Sequence, residues 1–598
     1  MMTFQMQSHG GAQAKRAPTE KPQLLEALRP ADGDIAVDEA ADFGFLLPPG
    51  GDAGQYLPDV PDADLDQLGD LMVPDVDTVD ATPDGAMAPV LTYWGQFLDH
   101  ELTARTDRES DLTGIDDPTP KATGEEIERQ LKNARTPRFD LDSVYGGLPI
   151  GTFSAPSIQH AASVLRTGLR HPVHTAKMRV GTAVEPGPLP DDTLDTHRDL
   201  PRFHQVGQKV RDAALDIARA QMTADAFAKF EAGLPKRALI GDMRNDENII
   251  IAQFHLSFLR FHNKVVDFLT ENDTGWIADF DAAKSLTKLH YQWLVVHGYL
   301  KDICDPGVVT RILDTRNAHY DAFRSDYAAR NPGRVVGNVI PLEFSVAAFR
   351  FGHSMVRNIY DYNRTFGRPN GTAPFDQIFA FTGGGDIGAR FGLNLNSIPK
   401  NWVIDWARFV TPDASFDDGG PQRVARAVDT VIAPPLGDMA NEGGDFDTAT
   451  PDGAALRVLF RNLARRNLRR GKSLRLPTGQ ALHAHLQSIG AVTSGPQADI
   501  RGWLDNKPEL AAFLDGHAFN SASPLWFYCL AEAEGTPGPG LGEMGSWIVA
   551  ATFIGALMDD ADSALSREFS PDQSPLRTPD GDPINTIERW MRFAAVLA

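Results

Sequence analysis

The chain has only two cysteines in 598 residues, Cys304 and Cys529, each inside an apolar stretch (YLKDICDPG and PLWFYCLAEAE). Two isolated thiols exclude a disulfide framework and a cysteine-rich metal site, so buried free thiols are expected. Cationic side chains are also in short supply: 57 Lys and Arg face 80 Asp and Glu, a formal net charge of -23. That balance argues against general affinity for nucleic acid or an anionic membrane and favours neutral, cationic or very small anionic partners. No apolar run is long enough to cross a bilayer; the longest helix-like one, Trp547 to Met558, reads as a buried core helix. The first residues, MMTFQMQSHGGAQAKRAPTEKPQ, lack the apolar core of a secretory signal. A cytoplasmic setting, or export without a cleaved signal, is the expectation. Strand-like alternation is sparse and no repeat of fixed period is visible.

What is present is ample apolar material, 42% of residues, in long helical patterns. Apolar positions recur at three- and four-residue spacing over Glu125 to Lys132, Arg211 to Ala232, Glu247 to Thr270, Phe280 to Ile303, Leu456 to Arg469 and Gly545 to Met558. The class is mainly α. Residues 1–84, rich in Gly, Pro, Asp and Ala, read as an extended or partly disordered arm with little chemistry, and 85–598 as one large helical domain.

Three segments concentrate polar side chains where apolar ones would be cheaper. In Trp94-Gly95-Gln96-Phe97-Leu98-Asp99-His100, a helix sets Gln96, Asp99 and His100 on one face. Burying an amide, a carboxylate and an imidazole together is costly unless each has a partner, such as a polar ligand or cofactor. In Gly241-Asp242-Met243-Arg244-Asn245-Asp246-Glu247-Asn248, Arg244 and Glu247 share a face, although physics alone reads the segment as a helix cap. His353 lies in the apolar run Ala348 to Val356, where a lone histidine is most often a core residue with one hydrogen bond.

The wording of these segments resembles the animal-type haem peroxidases, the peroxidase-cyclooxygenase superfamily. WGQFLDH looks like the distal helix, GDxRxxEN followed by FHNK like the second distal segment, and FRFGHSMV like the proximal-ligand motif. The resemblance implies a single helical domain with haem b between distal and proximal helices. It implies His100, Arg244 and Gln96 as catalytic groups and His353 as axial iron ligand, and Asp99 and Glu247 as carboxylates able to form esters to haem methyl groups. Asn248 stands where some mammalian members carry a methionine, so a third link is not expected. Asn467-Leu468-Arg469-Arg470-Gly471-Lys472 is similar to the family's asparagine helix, which implies Asn467 behind His353 and Arg470 on a haem propionate. Lys472-Ser473-Leu474-Arg475 departs from the family's continuation of that helix.

Thr136 to Gly146 (TPRFDLDSVYG) alternates hydroxyl and carboxylate oxygens, which suit a hard cation, but Val144 and Tyr145 rule out an EF-hand. It resembles the family's calcium loop, which implies Thr136, Arg138 through its carbonyl, Asp140 and Asp142 as Ca2+ ligands. Glu101 stands where the family usually has aspartate. The motifs fall in the family's order from about Met87 to Asp560, and the late segments around Pro524 and Gly545 look like bacterial members.

The activity so implied is oxidation of halides, thiocyanate or small phenolic donors by hydrogen peroxide through a ferryl haem, as in an oxidative stress response. Two alternatives stand beside it. A fatty-acid dioxygenase of the same superfamily would place a tyrosine three residues before the proximal histidine, where this chain has Arg350. A haem-free adhesion or scaffold protein would have lost one of His100, Arg244 or His353, and all three are present. Gly383 to Gly388 is set aside as a glycine-rich loop, and His483 with His485 as ordinary histidines.

Overall fold

The computed structural model describes residues 41–51, 53–74, 84–104, 106, 112–133, 135–146, 155–187, 189, 195–334, 337, 339–367, 373–380, 382–383, 395–411, 424–439, 442–443, 446–504 and 506–597. Residues 1–40 and 75–83 of the expected arm lie outside them, as do positions 384–388 of the glycine run.

The described part of the arm is folded against the body. Strand β1 (Ala41–Gly44) is the middle of a small sheet, antiparallel to β2 (Lys132–Asn133) and parallel to β3 (Val339–Pro341). Gly44 is required there, since a Cβ would come within 2.6 Å of the Tyr327 ring. Just beyond, the buried Glu343 carboxylate accepts the backbone N–H groups of Leu46 and Leu47 at 3.0 and 3.2 Å. Helix α1 (Asp62–Leu71) follows, a helix that the weak periodicity of this region did not announce.

Helices dominate the remainder, as the apolar spacing predicts. Helix α2 (Val90–Leu102) lies against α3 (Ile249–Glu271), with Phe97 stacked on Phe258 at a ring separation of 4.4 Å. Helix α4 (Phe280–Leu294) continues through a π turn, Val295–Tyr299, into Leu300–Ile303. The turn brings Tyr299 over α2, where a Cβ on Gly95 would lie 2.4 Å from the Tyr299 hydroxyl, so the glycine of WGQF lets the helices approach. Helix α5 (Leu463–Ser473), α6 (Leu525–Gly535) and α7 (Glu543–Met558) complete the body. Every residue of α7 from Met544 to Leu557 is buried, as expected of a helix apolar on all sides. Cys304 and Cys529 are buried free thiols. Among the described residues, no helix is long and apolar enough to cross a membrane.

Two expected helices are each broken in two. Arg211 to Ala232 divides into Gln208–Gln221 and Ala224–Gly233, because the Thr223 hydroxyl caps the second by accepting the Ala226 N–H. Leu456 to Arg469 divides at Asn462, whose side chain accepts the Arg465 N–H and starts α5. Capping residues offer the backbone an alternative to a continuous helix, and apolar spacing alone does not reveal the break.

Candidate functional site

A cleft partly open to solvent runs between α2 and the segment that bears His353. Gln96, Asp99, Arg244 and Glu247 line one side, His353 and Arg350 the other, with Phe349, Phe379 and Leu436 among its apolar walls. Space and lining of this kind suit a large, mostly apolar cofactor.

The distal wall is a closed polar network. Asn248 caps α3 by accepting the N–H groups of Ile250 and Ile251, and its amide donates to Gln96 Oε1 at 3.0 Å. Gln96 in turn donates to Glu247. Asn248 therefore both caps α3 and lines the cleft. His100 is 1% exposed and sits behind this layer, its Nε2 4.0 Å from Glu247 Oε1. Its Nδ1 lies 2.7 Å from Asn245 Oδ1, and Thr103 donates to Asp99 Oδ1 at 2.7 Å.

Arg244 spans the carboxyl end of α2, donating to the carbonyls of His100 and Thr103, both at 2.9 Å. Cations suit the unsatisfied carbonyls at a helix end. Asp242 fixes the guanidinium from the other side at 2.8 Å, and Arg135 joins it at 2.9 Å while donating to the same His100 carbonyl at 2.6 Å. Burial alone would raise the Asp242 pKa, but the Arg244 and Arg135 guanidiniums win and hold its carboxyl far below the usual range.

Beside this network, ligand oxygens of Glu101, Asp140 and Asp142 fall within 4.8 Å of one another. Burial, with Asp142 adding to it, pushes the Glu101 carboxyl well up; burial and Asp142 likewise push Asp140 to about 6. Glu101 accepts the N–H groups of Leu141 and Ser143, which draws the loop around the cluster, and Leu141 takes a left-handed φ of 60°. Such backbone strain in a non-glycine residue needs surrounding structure to hold it. Arg135 offsets part of the charge through Asp142. The buried Thr136 hydroxyl has no hydrogen-bond partner. Three clustered acids and an orphaned hydroxyl form the donor set of a hard cation. Arg138 closes the turn, its N–H donating to the Thr136 carbonyl, with its side chain exposed.

On the proximal side, His353 ends a short 3-10 helix, Ala348–His353. The Asn467 amide nitrogen lies 2.9 Å from His353 Nδ1, while Arg350 donates to the Asn467 oxygen at 3.0 Å and to the Ser345 carbonyl at 3.1 Å. Metal ligation through Nε2 would place the proton on Nδ1 and call for the amide oxygen there, a half-turn of Asn467 that would also give up the bond from Arg350. Arg470 does not line the cleft; it is 1% exposed and donates to the Thr113 carbonyl at 3.3 Å.

The rest of α5 is held by the arm. Asp62, Asp66 and Asp70 recur every four residues on α1 and meet Lys472, Arg469 and Arg465 at 2.7, 2.7 and 2.5 Å. Gly69 permits the close approach, since a Cβ there would lie 3.0 Å from the Arg465 backbone nitrogen. The basic run that would otherwise read as a solvated face is thus neutralised by a segment expected to carry little chemistry.

Asn245, Asp242, Arg135 and His255 are structurally central and were not singled out from sequence. Asn245 and Asp242 lay inside the second distal segment, and Arg135 directly precedes the calcium-like loop, but nothing in spacing assigns their partners. His483 is a satisfied core histidine, its Nδ1 3.0 Å from the Tyr528 hydroxyl.

The fold is shared with peroxidase A from Dictyostelium discoideum, with a TM-score of 0.52, 14% identity and 94% of each chain covered. Residues 210–380 match the animal haem peroxidase family, a span that includes Arg244, Glu247 and His353. A peroxidase-like protein of Margaritifera margaritifera is 30% identical over 280 residues, 46% of this chain and 32% of that protein. Thyroid peroxidase of Rattus norvegicus is 30% identical over 159 residues, 25% of this chain and 16% of that protein. The chain therefore covers a third or less of the length of these relatives. The likeness to the animal haem peroxidases thus rests on residues 210–380 and on relatives that the chain covers only in part.

Proposed function

We propose that the chain is a haem peroxidase in which hydrogen peroxide oxidises a small donor: a halide, thiocyanate or a phenol. The observation that carries this reading is one cleft lined by Arg244 and Gln96 as well as by an amide-backed His353, with His100 buried behind the Gln96–Glu247 layer. Haem b, when bound, supplies the iron and porphyrin that carry the electrons. His353 would hold it through Nε2, and Asp99 and Glu247, which line the cleft opposite, would be the groups for ester links to its methyls. Arg350, which lines the cleft, is better placed than Arg470 to meet a propionate.

His100 takes the proton from one peroxide oxygen and returns it to the other as water leaves, general acid-base transfer worth about 10²- to 10⁴-fold. Arg244, preorganised by Asp242 and two carbonyls, stabilises charge on the departing oxygen. Gln96, fixed between Glu247 and Asn248, orients a water or halide next to them. Ca2+ at Glu101, Asp140, Asp142, Thr136 and the Arg138 carbonyl would stiffen the turn after His100, one residue away. Arg350 stands where a dioxygenase needs its tyrosine.

Two variants test the reading. His353→Ala loses stable haem retention. His100→Ala keeps haem but loses reaction with peroxide, followed by stopped-flow absorption with iodide or a phenol as donor; full turnover in that variant would sink the mechanism.

A further inference from the structure

His100 acts as a base at Nε2 only if its proton sits on Nδ1, and an imidazole buried to 1% exposure cannot rely on water to decide this. The partner at Nδ1 is the Asn245 carboxamide, 2.7 Å away through its oxygen. An amide oxygen only accepts, so His100 must donate from Nδ1. The other end of the same amide, Nδ2, lies 3.0 Å from His255 Nδ1. An amide nitrogen only donates, so His255 accepts at Nδ1 and carries its own proton on Nε2. The shorter contact at the oxygen and the longer one at the nitrogen fit N–H···O and N–H···N bonds respectively.

Asn245 and His255 are both 0% exposed. Asn245 is also held by its backbone, its N–H donating to the Asp242 carbonyl at 3.1 Å within the 3-10 turn Met243–Asp246. Turning the amide over would exchange both tautomers together, giving His100 an Nε2–H and no lone pair to offer. One carboxamide thus couples two imidazoles into two states, of which only one has a base.

We infer that Asn245, held by His255, is the positioning residue that keeps the proton of His100 on Nδ1 and so makes Nε2 the base. This rests on the peroxidase reading, and goes beyond it by assigning the tautomer to a specific pair of side chains.

The test uses the full chain loaded with haem and two probes, hydrogen peroxide and cyanide; hydrogen cyanide must give up its proton to bind, so its binding rate reports the distal base without turnover. Asn245→Leu removes both hydrogen bonds at similar volume and should lower both rates by about 10²-fold, the low end of what a positioned general base contributes, with haem content unchanged. Asn245→Asp, whose carboxylate only accepts, still demands Nδ1–H on His100 and should stay within about threefold of the native rates, because the accepting contact is retained. His255→Phe leaves the amide free to turn and should fall between them. Native rates in Asn245→Leu, or an Asn245→Asp as slow as Asn245→Leu, would overturn the inference. His100→Ala separates the two levels: if it too reacts at native rates, the peroxidase reading has failed, whereas a dead His100→Ala beside a fast Asn245→Leu removes only the role of Asn245. Should Asn245→Leu bind no haem, the order Asn245→Asp above His255→Phe carries the decision, and its reversal counts against the inference.

Discussion

The distal and proximal sides of the cleft are both held by arginine and aspartate, yet in opposite ways. Behind α2, the Asp242 side chain is 0% exposed and Arg135 only 2%. Behind α5, the pairs between α1 and α5 lie near the surface, with Asp66 at 20% and Asp70 at 47% exposure. The first arrangement holds the carboxyl end of α2 beside the cleft, where a misplaced group is expensive; the second fastens a helix whose Asn467 meets His353. Removing one partner of a buried pair leaves an uncompensated charge, whereas an exposed pair is largely replaced by water.

The largest effect should therefore come from the distal network. Asp242→Asn strips the shared counter-ion from two buried guanidiniums and is expected to cost about 3–5 kcal/mol of stability, read by urea unfolding. A loss no larger than that of a surface variant would erase the contrast between the two sides.

A middle-sized effect belongs to the junction between arm and body. Burial raises the Glu343 carboxyl from its ordinary 4.5 to about 7, and Glu532, which accepts the N–H groups of Met544 and Gly545, is raised to about 7 in the same way. A folded state that keeps its proton to a higher pH than the unfolded chain loses stability as pH rises between the two values. Stability should fall from about pH 4.5 to about pH 7, by at most about 3 kcal/mol per group. Glu343→Gln should remove its share of that slope in urea titrations at pH 5 and 7.5, the rest belonging to Glu532 and the other raised acids; an unaltered slope would detach the arm from this pH response.

The smallest effects are expected at the clamp. Asp70→Asn should cost about 0.2–1 kcal/mol at low salt and less at high salt, because its half-exposed pair with Arg465 is screened, and Asp66→Asn should cost more, because its partner Arg469 is buried. The double variant should leave peroxide reactivity intact while shifting the iron–histidine stretching band in the Raman spectrum of the reduced haem-loaded chain, if α5 positions His353 through Asn467. An unmoved band would make the clamp a matter of stability alone.

Much of this was legible in the chain because it depends on local spacing. Gln96, Asp99 and His100 share a face by helix periodicity, Asn467 stands on a helix and α7 is buried all round, each from a pattern of a few residues. Helix ends were less legible: Thr223 and Asn462 break apolar runs through side-chain caps that compete with propagation by only about 1 kcal/mol. The arm was least legible, since α1 has a thin apolar face and its register of acids acquires meaning only against α5.

The sequence by itself determined the mainly α class, the resemblance to the animal-type haem peroxidases and five of the side chains that line the cleft, Gln96, Asp99, Arg244, Glu247 and His353, since short-range periodicity and motif order carry those. Tertiary structure alone decided which partner each polar group received. Arg135 and Arg244 converge on one carbonyl, Asn245 bridges two histidines and Asp66 reaches Arg469 across about 400 residues of chain. The reason is physical: a buried donor or acceptor must be satisfied by whatever packing brings within about 3 Å, and no local rule along the chain names that neighbour.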